Sequence, residues 1–137
     1  MLVGTHSRGI DPKNRLVIPP DFRDAFVGGG YVSDQGNYVA LFPSQEFREF
    51  VVRIQRDIEA KVVGRSLLRT VTANSYPFTL DSAHRVLLPA PLRQHLPEDG
   101  NVLLVGASTH VGVWDPERVG GGQMSREELA GELDAYW

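Results

Sequence analysis

The sequence predicts an α+β fold, in which two β-rich repeats related by a pseudo-twofold share one core and helices pack outside. Three observations carry this expectation. The stretch from Gly9 to Phe26 recurs from Thr79 to Leu96 at an offset of 70. The segment between the copies has helical rather than strand periodicity. The chain's 137 residues, 42% hydrophobic and 23% charged, suit one ordinary folded domain. A single unit of roughly 45 residues would be too small to bury its own strands, so the copies are expected to share a core.

The repeat is ordered along its whole length. Asp11/Asp81, Arg15/Arg85, Pro19/Pro89 and Arg23/Arg93 are identical, and Ile10/Leu80, the triplets 16–18 and 86–88, Phe22/Leu92 and Phe26/Leu96 match apolar with apolar. In each copy an apolar residue leads into a polar turn, and three apolar residues then form a strand. Proline ends that strand, because it lacks a donor and restrains the residue before it. Pro20 to Phe26 and Pro91 to Leu96 suit a short helix with proline in its first turn. After Gly28 to Gly30, or Pro97 to Gly100, two β-rich runs follow: Tyr31 to Ser33 with Tyr38 to Phe42, and Asn101 to Val105 with His110 to Trp114.

Between the copies, Phe47, Phe50, Val51, Ile54, Ile58 and Val62 follow helical spacing behind Ser44, which reads as an N-cap. Gly64 is expected to break or bend that helix, and Leu67, Leu68 and Val71 predict a second one. Gly120 to Gly122 reads as a flexible hinge, and Ser125 to Trp137 as an acidic helix with a capping box, Ser125 with Glu128. The expected organisation is a first repeat over 1–43, a helical connector over 44–75, a second repeat over 76–119, and a hinge and tail helix over 120–137.

Composition narrows the function. There is no cysteine, which excludes a disulfide framework, a thiolate metal site and a cysteine nucleophile. His6, His84, His95 and His110 lack metal-ligand spacing, and neither a nucleophile elbow nor a phosphate-binding loop is present. No enzyme activity, metal or other cofactor is therefore expected. The longest apolar runs are too short to cross a bilayer and no signal peptide opens the chain, so it reads as cytoplasmic. Net charge is -3, but residues 1–100 carry 12 Lys and Arg against 11 Asp and Glu, whereas residues 101–137 carry 2 against 6. The acidity lies towards the C-terminus and leaves room for local basic spots.

An arginine closing a tight turn before a rigid strand presents a planar fork to phosphate or guanine, and an aspartate four residues earlier can hold it. On spacing alone, Arg15 with Asp11 and Arg85 with Asp81 fit either such a reading head or a plain turn-stabilising ion pair. Lys13, Arg8 and His6 lie near the first turn and could extend its footprint along phosphates. Arg23 and Arg93, behind the prolines, read as structural.

The doubled D-x-x-x-R turn, each followed by three apolar residues, Pro and an Arg four residues on, resembles the SpoVT/AbrB swapped-hairpin DNA-binding element. Two such copies around a helical pair, the opening Met1 to His6, the run Leu87 to Arg93, and Leu103 to Gly106 followed by Val113 to Asp115 are similar to the MraZ family. The resemblance spans about residues 1–119. It implies a bacterial, nucleoid-associated transcriptional regulator at the head of the division and cell-wall gene cluster, binding short direct repeats of its promoter in double-stranded DNA. It also implies a homo-oligomer closed into a ring, an interlocked intrachain pseudo-dimeric barrel, and neither a membrane nor a small-molecule substrate as partner. Arg15, Arg85, Lys13, Arg8 and His84 would then contact DNA, with Asp11, Asp81 and Asn14 supporting the turns. In the family a glycine commonly precedes the arginine; Asn14 and His84 stand there in this sequence, residues that tolerate a left-handed backbone comparatively well. Two other readings stand beside it: a ring-forming interaction scaffold that does not bind DNA, and an antitoxin-like regulator using the acidic tail.

Overall fold

The computed structural model describes residues 1–119 and 123–137. Among these residues, eight strands and six helices run in the order β1 (Thr5–Gly9), β2 (Arg15–Val17), α1 (Pro20–Arg23), β3 (Gly30–Asp34), β4 (Val39–Pro43), α2 (Ser44–Glu59), α3 (Arg65–Ala73), β5 (Ser75–Phe78), β6 (Arg85–Leu87), α4 (Ala90–Arg93), β7 (Asn101–Gly106), β8 (Val111–Trp114), α5 (Pro116–Val119) and α6 (Arg126–Leu133). Short 3-10 turns follow α1 and α6. The antiparallel pairing makes a six-stranded sheet, β1-β7-β8-β4-β3-β5, and a separate two-stranded ribbon, β2-β6.

The sheet order reads the same from either end once the copies are exchanged. β1 of the first repeat pairs with β7 of the second, and β5 of the second pairs with β3 of the first, so each repeat lends its leading strand to the other. Leu16 faces Val86 at the centre of the ribbon, and Ala40 faces Gly112 where β4 meets β8. Those two pairs mark the pseudo-twofold. Gly100 fastens the exchange: its carbonyl accepts the Ile10 N–H at 2.8 Å. It holds φ +79°, and a Cβ there would lie 2.7 Å from the Ile10 oxygen.

Both copies fill the core from matching positions. Leu16 with Val86, Ile18 with Leu88, Phe22 with Leu92 and Phe26 with Leu96 all belong to one buried cluster between the sheet, the ribbon and the short helices. A second cluster lies on the sheet's other face, where Phe47, Ile54 and Val71 of α2 and α3 cover Ala40 and Phe42. The helical face spaced through Phe47, Phe50, Val51, Ile54 and Ile58 therefore packs inward.

Several details differ from the sequence reading. The ladder among the described residues stays open, with β1 and β5 as sheet edges, so no closed barrel is found; between the end of β1 and β2 only the isolated bridge of Ile10 with Leu16 forms. The turn between them spends its backbone groups on itself, which leaves few for a continuous ladder. Pro43, not Ser44, caps α2, while the Ser44 hydroxyl donates to the Gly28 carbonyl at 3.2 Å. The helix stops at Glu59 because Lys61 turns left-handed at φ 59°, which leaves Val62 outside it and exposed; Gly64 caps α3 instead. The capping box of α6 forms as read, with every described side chain from residue 123 onward exposed. The hinge read over Gly120 to Gly122 lies outside the described residues. No helix among the described residues is long and apolar enough to cross a membrane.

The pseudo-twofold also builds a pH-sensitive contact. Tyr38 and His110 are repeat mates, and they meet across it with the Tyr38 hydroxyl 2.9 Å from His110 Nε2. Thr109 Oγ1 lies 3.0 Å from Nδ1, and Phe42 packs on the imidazole at 4.7 Å. Burial pushes the His110 pKa down. The unfolded chain therefore takes up this proton before the folded one does. The stability held by neutral His110 is complete above about pH 6.5, the ordinary value, and declines as pH falls towards the lowered one. Melts at about pH 7.5 and about pH 5.5 are expected to show a loss in the acid sample beyond that of His110→Phe, which keeps the ring packing but has no proton to gain. Parallel pH profiles would contradict the assignment.

Candidate nucleic-acid interface

Each end of the β2-β6 ribbon carries one of the two turns, and they are built alike. In the first, the Asp11 carboxylate accepts the backbone N–H of Lys13 and of Arg15, both at 2.9 Å, and Arg15 Nε at 2.8 Å. In the second, Asp81 accepts the N–H of Ala83 at 2.9 Å, that of Arg85 at 3.0 Å, and Arg85 Nε at 2.9 Å. Such an aspartate replaces a stretch of ladder, and this is why the turn stays tight. Asn14 and His84 take φ 61° and 60°, the left-handed conformation that a glycine would supply. Their carbonyls reach across the ribbon: Asn14 O accepts the Leu88 N–H at 2.8 Å, and His84 O accepts that of Ile18 at 2.9 Å. The two turns thus hold one another's strands.

The electrostatics follow from this geometry. Foremost the Arg15 N–H, then its guanidinium and the Lys13 N–H, hold the Asp11 carboxyl below its ordinary value against an opposing desolvation. Asp81 is lowered in the same way, the Arg85 N–H leading. Both carboxylates are charged at neutral pH. Their contribution to the turns is complete above about pH 3.9 and is lost as pH falls through the lowered values. Within each guanidinium, the carboxylate engages only the Nε. Among the described residues no protein group hydrogen-bonds the terminal amino groups of Arg15 or Arg85, so each fork keeps donors to offer outward.

Strand alternation sets the direction of that offer. Leu16 and Val86 point into the core, so Arg15, Val17, Arg85 and Leu87 share the outer face of the ribbon. Arg15 stands opposite Leu87 and Val17 opposite Arg85. The two arginines therefore occupy one diagonal, roughly 7–8 Å apart at their backbones.

The remaining candidates are placed unequally. Lys13 is exposed in the first turn, where Ala83 is its counterpart, and His84 is exposed in the second. Arg8 lies in β1 opposite the buried Val102, and its Nη1 donates to the Ser7 carbonyl at 2.7 Å; no hydrogen bond or ion pair among the described residues joins it to the first turn. His6 packs edge-on against Phe22 at 5.1 Å with Asp21 3.7 Å away, which makes it part of the scaffold. Arg23 donates Nε to the Ile18 carbonyl at 2.8 Å, and Arg93 donates to the carbonyls of Leu96 and Glu98, so both tie the short helices to their surroundings. Among the described residues no group of three or more His, Asp or Glu side chains is placed to hold a metal ion. Val17 and Leu87, which the sequence offers only as members of a strand triplet, are the unforeseen components of the outer face.

Comparison with known proteins gives the family. The profile of the family described as "MraZ protein, putative antitoxin-like" matches residues 1–69 and 72–118, which include both turns and the ribbon. The chain belongs to the MraZ family. A "Transcriptional regulator MraZ" of Clavibacter michiganensis subsp. michiganensis is 32% identical over 116 residues, covering 84% of this chain and 81% of the relative. MraZ of Thiobacillus denitrificans is 32% identical over 146 residues and 99% of both chains. MraZ of Mycobacterium leprae is 30% identical over 129 residues, 93% of this chain and 90% of its own. The family match ends at residue 118, so α6 lies beyond the part the MraZ profile describes.

Proposed function

We propose that this chain is a sequence-specific DNA-binding transcriptional regulator whose two D-x-x-x-R turns are its reading heads. The observation that carries the reading is the turn built twice, in which an aspartate orients an arginine by Nε and leaves its terminal amino groups free. Arg15 and Arg85 are the base- or phosphate-reading forks, Lys13 and His84 add contacts beside them, and Asp11, Asp81 and Asn14 support the turns. Arg8 extends the footprint from β1. The two-stranded ribbon, with strands about 4.8 Å apart, fits a major groove about 12 Å wide.

Two turns per chain make few contacts, and the reading therefore includes a homo-oligomer. A head-to-tail interface that closes into a ring presents many arginines in register, and affinity grows through effective concentration. Short direct repeats in a promoter suit such an array, and a regulator of the bacterial division and cell-wall genes is the role this family membership favours. Residues 1–43 and 76–119 are the two reading units, 44–75 the helical connector and 120–137 the Gly-rich hinge and acidic C-terminal helix.

Asp11→Ala tests the reading. Charge counting alone predicts tighter binding, because a carboxylate is removed from the DNA-facing side. A positioning role predicts the opposite, since the arginine fork loses its anchor. Affinity for a duplex selected by the wild-type chain from a randomised pool is expected to fall roughly tenfold, within the 1–3 kcal/mol that a good bidentate contact supplies. Tighter or unchanged binding by the folded variant would overturn the role given to the turn.

A further inference from the structure

The outer face of the ribbon holds more than its arginines. Leu16 and Ile18 are buried while Val17 between them is 39% exposed; Val86 and Leu88 are buried while Leu87 is 62% exposed. Both aliphatics therefore stand outside the core, on the diagonal that the two arginines leave free. The guanidinia are drawn by Nε towards Asp11 and Asp81, in the turns at the two ends of the ribbon. Each end of the face thus sets one aliphatic beside one arginine fork, Leu87 opposite Arg15 and Val17 opposite Arg85.

We infer that Val17 and Leu87 are specificity-determining residues that contact the C5-methyl groups of thymines in the major groove. The inference rests on the DNA-binding reading and deepens it. Phosphates and guanine edges offer an aliphatic side chain nothing, but the thymine methyl is the one apolar group each A·T pair displays in that groove. Charge complementarity selects the occupant: the outward guanidinium donors of Arg15 and Arg85, with Lys13 beside the first, draw a polyanion to this face, and the ribbon that inserts the forks inserts the aliphatics opposite them. Leu87 is larger and more exposed than Val17, so it makes the greater contribution.

The test removes only the methyl. Wild-type chain selects its preferred duplexes from a randomised pool, and each thymine of the selected site is then replaced singly by deoxyuridine. At one or more positions wild-type affinity is expected to fall about fourfold, as the loss of one buried methyl predicts. Leu87→Ala is expected to bind the thymine and deoxyuridine duplexes equally at such a position, with Val17→Ala affecting a different and weaker one. Neither variant should alter the salt dependence, because neither touches phosphate, nor shift the sedimentation coefficient, and each should lose less than about 1 kcal/mol of stability. If wild type selects nothing, the DNA-binding reading itself fails and takes this inference with it. If wild type binds but Leu87→Ala loses the same factor on deoxyuridine substitution, or if no position responds, the methyl contact is wrong and DNA binding stands. A change of oligomeric state in Leu87→Ala would overturn it too, assigning the aliphatics to a subunit interface.

Discussion

Leu16→Ala is expected to lower folding stability by about 2–5 kcal/mol, whereas Val17→Ala, one residue along, is expected to cost less than about 1 kcal/mol. Leu16 has no exposed surface and faces Val86 across the pseudo-twofold, so its truncation opens a cavity where the two repeats meet. The surrounding groups are held by the exchanged strands and by the turns, and they cannot collapse far into that space. The contrast between neighbours is the informative part. A shift of the ribbon register by one residue would invert every side chain, making Val17 the buried position. Urea denaturation of both variants beside wild type measures the difference. Equal losses would contradict the alternation on which the outer face depends.

What was legible in the sequence was local or repeated. The Asp11–Arg15 and Asp81–Arg85 pairs lie four residues apart, so spacing alone brings them into reach. The apolar triplets and the prolines announce β2 and β6, and the helical face of α2 shows in the spacing of Phe47, Phe50 and Ile54. The leading strands were not legible. In β1, Thr5 to Gly9 contains no aliphatic residue, and its half-buried positions are His6 and Arg8; the apolar side of the pairing comes from Val102 and Leu104 on β7. In β5, Pro77 argues against a strand, yet the strand lies at a sheet edge, where a missing donor is tolerated.

Both missed strands are the ones that exchange between repeats, and an exchange is a long-range pairing that no local pattern encodes. The same limit applied to the site. Arg15 and Arg85 could be named from the chain, but Val17 and Leu87 became interface candidates only once the ribbon's partner and register were known. Ser44 shows the converse, a residue of the right type whose hydroxyl is claimed by Gly28 O while Pro43 takes the cap.

The second large effect concerns affinity rather than stability. Arg15→Ala is expected to weaken DNA binding more than Arg85→Ala does. The first turn presents Lys13 and Arg15, whereas the second has Ala83 in place of the lysine, so the first carries the larger share of phosphate contact. Both arginines project from the ribbon's outer face, and neither truncation opens a cavity in the core, so the melts of both variants should stay close to that of wild type.

A salt series of binding to the selected duplex, for wild type, Arg15→Ala and Arg85→Ala, decides whether the turns read DNA. Arg15→Ala should bind at least tenfold more weakly, with a log–log salt slope shallower by about 0.9 for each phosphate that the variant no longer neutralises. Arg85→Ala should fall between it and wild type. Unchanged affinity and slope in a folded Arg15→Ala chain would remove the first turn as a reading head.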